Sequence, residues 1–370
     1  MFTGNTDVFV AGGGPAGLAA AIAAAQRGLS VAVADWARPP IDKACGEGIM
    51  PDGLLALRNL GIDLATLGAV PFEGIRFVDA AGETHARFPQ GIGFGMRRAD
   101  LHRVLVEKAE SLGIHLAWGT RVEAIRQGEA IVAGQPIRAR YIVCADGQNS
   151  ALRPMAGLNT GKVYRRRYGF RNHYRLRRWS PFVEVHWADC GQMYVTPVGV
   201  EDLCVVFISS DKHVRLEDAL PAFPELHRRL AGQPLSGKTA GGVSVTRKLN
   251  TVVAGNIALL GDSSGSADAI TGDGLSLVFQ QATALADAML AGDLAAYQAT
   301  HRRISRMPRN MGELMLVMDD HPWIRRRIFR GFTQSPRMFG KLLAMHTQTI
   351  SPLQLGVNDC LSFGWSILRA

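Results

Sequence analysis

The sequence predicts an α/β protein: a nucleotide-binding βαβ domain, interrupted by an antiparallel sheet and followed by helices. Three observations carry this. A short apolar run, Val8–Ala11, ends in Gly12-x-Gly14-x-x-Gly17 and opens an alanine-rich helical pattern. Residues Phe182–Ala188 alternate, with Val183, Val185 and Trp187 on one face and Phe182, Glu184 and His186 on the other. Residues 301–370 are helical in pattern, basic, and punctuated by Pro308, Pro322, Pro336 and Pro352.

Taken in order, Val8–Ala11 reads as a buried strand and the run to Arg27 as a helix that stops at Gly28. Leu29–Ala34 is a second strand, which completes a βαβ unit. Asp100–Gly113 returns to an amphipathic helix with Leu101, Leu105 and Ala109 on one face. His115–Trp118 and Arg140–Ala145 are further strands of that layer. Phe182–Ala188, Met193–Thr196 and Leu203–Ile208 form a meander around an Asp189-Cys190-Gly191 turn. The βα character resumes at Asn256–Gly261. The expected division is 1–72, 97–165 and 248–300 for the nucleotide domain, 73–96 and 166–247 for the sheet domain, and 301–370 for a C-terminal helical segment.

Composition narrows the class. The chain has 370 residues, 47% hydrophobic and 20% charged, which excludes a disordered chain. No run of roughly 18 apolar residues exists to span a membrane, and Met1–Phe9 lacks the basic region of a signal peptide. The five cysteines are odd in number and include no CxxC pair, so neither a disulfide scaffold nor a zinc module fits, and no metal is expected. A cytoplasmic protein is the simplest expectation. The balance of 41 basic and 32 acidic side chains gives +9, with arginines concentrated at Arg165–Arg167, Arg171–Arg178 and Arg325–Arg330. A solvated basic surface, attraction to an anionic cofactor or substrate, and peripheral contact with an acidic membrane face all remain open. No groove-reading helix or aromatic–basic module points to nucleic acid.

The chemistry lies in three separated segments. In the first, Gly12 permits a tight turn, Gly14 a close approach to a pyrophosphate, and Gly17 close helix–strand packing. Asp35 follows Gly17 by 18 residues, at the end of the second strand, where an acid accepts from a ribose hydroxyl. This pattern alone does not separate NAD from FAD. The second is Cys144-Ala145-Asp146-Gly147, continuing to Arg153. The third is Gly261-Asp262-Ser263-Ser264-Gly265, continuing to Thr271-Gly272-Asp273-Gly274-Leu275. Each ends a strand in a carboxylate-bearing loop.

These motifs resemble those of the FAD-dependent monooxygenase and geranylgeranyl reductase superfamily, which has the fold of p-hydroxybenzoate hydroxylase. The likeness runs to about residue 300. It implies a Rossmann-like FAD-binding domain of the GR2 type carrying an inserted antiparallel β-sheet substrate domain. It also implies FAD held by Gly12, Gly14, Gly17 and Asp35, with Arg98 of Arg98-x-x-Leu101-x-x-x-Leu105 near the phosphates. Asp146, Gly147, Ser150 and Arg153 match a DGxxSxxR motif associated with FAD and transient NAD(P)H contact. Gly261 and Asp262 match the Gly-Asp motif, with Asp262 on the ribityl chain. Gly272 and Gly274 would open a helix whose N-terminus faces the flavin N1/O2 edge.

The departures from the family pattern are informative. Gly265 and Ala269-Ile270 stand where many aromatic hydroxylases carry a His and a Pro-Pro pair. GDSSG…TGDGL and Lys43-Ala44-Cys45-Gly46 resemble the prenyl reductases, and also hydroxylases acting on phenolic lipids beside type III polyketide synthases. Gly191–Pro197 keeps Tyr194 and Pro197 of the reductases' YxWxFP pattern but not its bulky neighbours, which favours the hydroxylase branch. No WxWxIP segment of the halogenases is present.

Two side chains are candidates for catalysis. Cys45 either lines the substrate cavity beside the flavin or is an inert thiol under a glycine-rich loop. Tyr194 either donates to a substrate oxygen or is core with a wet tip. His186 reads as a satisfied core histidine, and Met307, Met311, Met315 and Met318 as core or lipid-pocket lining. The expected function is an FAD-dependent monooxygenase. It would use NAD(P)H and O₂ to hydroxylate a small apolar or amphiphilic substrate, aromatic or of phenolic-lipid or polyketide type, through a flavin C4a-hydroperoxide. The alternatives are a prenyl double-bond reductase and a non-catalytic flavoprotein electron carrier or redox sensor.

Overall fold

A computed structural model describes residues 5–369. Met1–Gly4 and the side chains of Val357, Cys360 and Leu368 lie outside what it describes. Strand Thr6–Ala11 sits at the centre of an eight-stranded sheet, with Gln135–Cys144 on one side and Val31–Asp35 on the other, both parallel to it. Ile257–Leu259 and His115–Trp118 extend the parallel core outward. Burial on both faces explains the unbroken apolar runs of these strands. The linking helix, Pro15–Ala25, is rich in alanine and buried over nearly all of its surface. Its small side chains let helix Gly274–Ala291 and helix Arg98–Ser111 pack closely on it.

Register brings the three chemical segments to one edge. Ala11 pairs with Ala34 and Cys144, and Cys144 with Leu259. The loops at Gly12, Asp146 and Gly261 therefore leave the sheet at the same carboxyl end. That is the crevice where open α/β sheets bind ligands.

The second sheet has seven strands in the order Ala240–Leu249, Gly161–Tyr174, Asp202–Ser209, Gly191–Gly199, Val183–Ala188, Gly74–Asp79, Gly82–Arg87. Its pairs are antiparallel except Val183–Ala188 on Gly74–Asp79, which is parallel. The expected boundary at 165/166 falls inside the single strand Gly161–Tyr174, and the one at 300/301 inside helix Leu294–Asp320. Pro322 and Pro336 each open a helix, Pro322–Gln334 and Pro336–His346, as their fixed φ favours. Pro308 corrects the reading of a break. It is buried within the 27-residue helix Leu294–Asp320, where packing outweighs one missing hydrogen bond. Among the described residues no helix is long and apolar enough to cross a membrane.

The arginine clusters are not simply a solvated surface. Arg167 is fully buried and paired with Asp268 and Asp319; Arg171 pairs with Asp42 and Glu47, and Arg325 with Asp79 and Asp189. In a strand, every second side chain turns inward, so a run of arginines cannot remain wholly in water.

Candidate active site

A single cavity of about 970 Å³ runs from the carboxyl edge of the first sheet to the C-terminal helices. Gly12, Gly14, Asp35, Arg98, Asp146 and Gly147 line it, and so do Gly261, Asp262, Gly272 and Gly274. Cys45 and Tyr194 also reach it. Of the glycines expected to hold the cofactor, Gly17 alone is absent from the wall. It lies beneath the loop, where an added Cβ would fall 1.8 Å from the Gly12 carbonyl oxygen.

The glycine loop is held from both sides. Gly12 has φ +115°, and a Cβ there would meet the Ala145 carbonyl at 2.4 Å. Asp35 braces the loop: its Oδ2 accepts from the Gly13 amide at 2.6 Å and its Oδ1 from the Ala37 amide at 2.7 Å. Each oxygen keeps a lone pair for a further donor. Gly14 is the N-cap of helix Pro15–Ala25 and has open space where a side chain would begin. Helix amides and dipole at that point suit a phosphate.

Two orphaned polar atoms support the same reading. Arg98 Nε and Asp146 Oδ1 are buried without a partner, and both residues line the cavity. An open backbone cradle at Gly14, a guanidinium nitrogen short of an acceptor and a carboxylate oxygen short of a donor match a diphosphate and sugar or ribityl hydroxyls. The residues present therefore fit FAD. Asp262 pairs with Lys43 at 3.1 Å, which ties the Trp36–Glu47 loop across the cavity. Arg153 does not reach the wall. It donates to Asn159 and to the Ser263 carbonyl, joining the second and third segments.

Tyr194 requires a correction. Its hydroxyl donates at 2.8 Å to the Ile270 carbonyl, and burial pushes the phenol well above its ordinary value. The ring forms part of the wall, but the proton already fixes the turn before Gly272, so a donor to substrate must be sought elsewhere. Cys45 Sγ accepts from the Glu47 amide at 3.4 Å and faces the cavity. His186 is a satisfied core histidine, bonded to Glu184 at 2.9 Å on the face away from Val183 and Val185. Met311, Met315 and Met318 are buried cavity lining, whereas Met307 is not part of the wall.

Sequence reasoning missed two clusters. Glu47 is buried at φ +59°, a left-handed position unusual for a side-chain-bearing residue. Its carboxylate accepts from His173 Nε2 at 2.7 Å, from Arg171 Nη1 at 3.0 Å and from the Arg98 amide at 3.0 Å. Its place between Gly46 and Gly48 was the available signal. Cys204 lies close by, and the donor atoms of Glu47, His173 and Cys204 are within 4.8 Å of one another. Arg171 already neutralises Glu47, however, and burial pushes the Cys204 thiol up, so the set offers no cation two anionic ligands. The second cluster sits at the start of helix Gly274–Ala291, where His346 Nε2 pairs with Asp273 at 3.2 Å. Burial opposes charge on His346, but the Asp273 carboxylate and then Asp52 outweigh it and hold the imidazole above its ordinary value.

Residues 5–173 match the FAD binding domain family. The menaquinone reductase of Mycobacterium tuberculosis (strain ATCC 25618 / H37Rv) is 30% identical over 40% of this chain and 39% of its own length, so this match spans well under half of that relative. The digeranylgeranylglycerophospholipid reductase of Methanoculleus marisnigri is 28% identical over 80% of this chain and 77% of its own. Among solved structures, pqsL, a probable FAD-dependent monooxygenase from Pseudomonas aeruginosa, superimposes with a TM-score of 0.73 at 21% identity, over 90% of this chain and all of that one. At that identity the likeness shows the fold alone. Residues 5–173 thus match an FAD binding domain, and over most of its length the chain is similar to a geranylgeranyl-type reductase and shares its fold with a probable FAD-dependent monooxygenase.

Proposed function

We propose that the protein is a monooxygenase that uses NAD(P)H and O₂ to hydroxylate an apolar aromatic, phenolic-lipid or polyketide-type molecule. One observation carries the substrate class: the cavity changes polarity along its length. Beyond the glycine loops its walls are Val183, Val185 and Ile208 from the sheet, with Met315, Phe332 and Phe339 from the C-terminal helices. A long apolar molecule fits there with its reactive end toward the Gly272–Gly274 loop. Bound FAD supplies the two-electron chemistry. The chain's part is to hold the dinucleotide at Gly14, Arg98 and Asp146, to present the amides of helix Gly274–Ala291, and to exclude water with the apolar walls. The loss of bulky neighbours around Tyr194, set against the reductase pattern, favours oxygenation.

Double-bond reduction is the second reading. It is favoured by Cys45 on the cavity wall within Lys43-Ala44-Cys45-Gly46 and by the two reductase relatives. The deciding experiment incubates FAD-loaded protein with NADPH and a panel of long-chain phenols and polyprenyl lipids, with and without ¹⁸O₂. Substrate-stimulated oxygen uptake with label in the product supports hydroxylation. Saturation of a chain in the absence of oxygen overturns it in favour of reduction, and no response to any substrate points to an electron carrier.

Peripheral contact with an anionic membrane completes the proposal. Residues 321–370 carry seven Lys/Arg against one acid, Asp359, and expose Trp323, Leu361 and Trp365.

A further inference from the structure

A second, smaller cavity of about 220 Å³ adjoins the first and shares Asp42 and Glu47 with it. Its rim is formed by exposed Asp42, Gly237 and Lys238, and its floor by buried Glu47, Arg171 and His173. His173 stands across the gap. Its Nε2 bonds Glu47 Oε2 at 2.7 Å, while its Nδ1 looks toward the rim, 3.7 Å from where a Cβ on Gly237 would sit. Among the described residues nothing hydrogen-bonds that Nδ1. Glu47 in turn borders the main cavity beside Cys45.

We propose that His173 and Glu47 form the path by which protons pass between solvent in the side cavity and the part of the main cavity beside Cys45. Both reactions considered above need one. Hydroxylation combines substrate, O₂, a hydride from NAD(P)H and one proton to give the hydroxylated product and water. Double-bond reduction adds a hydride and one proton. The inference thus rests on the chain being an FAD-dependent oxidoreductase, and on neither choice of reaction.

The transfer balances simply. Water in the side cavity gives a proton to Nδ1 as Nε2 releases its own to Glu47 Oε2, and the carboxyl passes that proton on into the main cavity. The imidazole then turns about its Cβ–Cγ bond, gives its Nδ1 proton to side-cavity water and takes one from that water on Nε2, and turns back, which restores the starting tautomer. A histidine suits this step because its two nitrogens can exchange donor and acceptor roles. Arg171 Nη1 holds Glu47 Oε1 at 3.0 Å, which leaves Oε2 as the oxygen that faces His173. The left-handed backbone at Glu47 and its fixing by three donors keep the carboxylate between the two cavities, where an ordinary turn residue would point elsewhere.

The groups that face His173 are Glu47 and Asp42 from the Trp36–Glu47 loop, Arg171 from its own strand, Cys204 from the neighbouring strand, Arg97 from the start of helix Arg98–Ser111, and Lys238. Of these only Glu47 is bonded to the imidazole, which makes Glu47→Gln the informative partner variant.

The test uses the FAD-loaded full chain without substrate. Reduced anaerobically and mixed with O₂, reduced flavin returns to the oxidised form and yields hydrogen peroxide, consuming one proton per turnover. Reoxidation by His173→Gly is expected to fall on the order of 100-fold, the usual contribution of a positioned proton donor. Imidazole, small enough for the enlarged side cavity, is expected to restore it, with a rescue rate that follows the pKa of substituted imidazoles. Glu47→Gln is expected to slow the step without imidazole rescue. Calorimetry on the apo His173→Gly protein reads imidazole binding independently of turnover. An unchanged rate in both variants, or a loss that imidazole binds to but does not recover while FAD content and melting temperature stay normal, overturns the proposal. Should His173→Gly not fold, His173→Gln is read by its pH–rate profile: a path through His173 gives a loss that deepens with rising pH, and an unshifted profile overturns it. A negative result in the ¹⁸O₂ experiment would leave this outcome untouched.

Discussion

The two ends of the main cavity are built on opposite principles. At the glycine-loop end, backbone does the work: Gly12, Gly14 and Gly17 act through the side chains they lack, and each has a distinct reason. At the C-terminal end, side chains do the work, with Met311, Met315, Phe332 and Phe339 brought together from three helices. At Gly12 and Gly17 an added side chain would meet backbone, which cannot rotate away. A wall of methionines can re-pack around different occupants. The first end is a rigid backbone surface, while the second is a surface of side chains that can re-pack.

The sharpest way to break this contrast is within the glycine loop itself. Gly17→Ala places a methyl 1.8 Å from the Gly12 carbonyl oxygen, a contact that only backbone displacement can relieve. We expect a loss of more than about 4 kcal/mol, read as a collapsed urea midpoint with no retained flavin. Gly14→Ala meets nothing within 4 Å. It should cost stability only about 1 kcal/mol as a poorer N-cap, yet weaken FAD binding when titrated by flavin fluorescence. Equal damage from the two substitutions would show that Gly14 is structural rather than part of a cradle.

This contrast also explains what the sequence could tell. The glycine loop, the strand ends and the helix after Gly274 were legible because their requirements are local: a positive φ, a tight packing distance, a period of two or 3.6. Glu47 and His173 are 126 residues apart, and Asp273 and His346 are 73. No local pattern marks either pair. Tyr194 shows the same limit from the other side. Its match to the reductase pattern drew attention to it, but the acceptor of its proton, the Ile270 carbonyl, depends on how a distant turn packs.

Two buried histidines sharpen the comparison through pH. His301 reaches Ser264 in the Gly-Asp loop at 2.9 Å; burial, then Arg309 and Arg302, lower its pKa to about 4. It is neutral in the folded protein and must be charged on acidification. Its contribution is therefore full above the unfolded value of 6.5 and is lost as pH falls toward 4, by about 3 kcal/mol. His346 behaves in the opposite way. With its pKa raised beside Asp273, its contribution is full below 6.5 and is lost as pH rises through the folded value. Urea midpoints measured from about pH 4 to 8 should show His301→Gln flattening the acid limb and His346→Gln flattening the alkaline one. Flattening of the same limb by both would remove the distinction.

The smallest expected effect lies on the outside of the C-terminal end. Helix Val357–Arg369 turns Phe363, Ser366 and Ile367 inward, where they meet Gly331, and Phe363 stacks on Phe332 at 5.0 Å between ring centroids. Leu361, Trp365 and Arg369, spaced by four, then share the opposite face, and Arg369 lies over the Trp365 ring. Arg327 covers exposed Trp323 in the same manner on helix Pro322–Gln334. An exposed tryptophan shielded by arginine suits a lipid headgroup layer, where the ring sits at the interface and the guanidinium meets phosphate. Each basic residue near an anionic surface adds about 1 kcal/mol, which salt screens. Sedimentation with phosphatidylserine vesicles should therefore bring the protein down at low salt and release it at high salt. The double variant Trp323→Ala, Trp365→Ala should bind several-fold more weakly while keeping its flavin and melting temperature. Vesicle binding that ignores both salt and the tryptophans would leave the outer face of this end without a membrane role, and the inner face would still hold an apolar substrate delivered from solution.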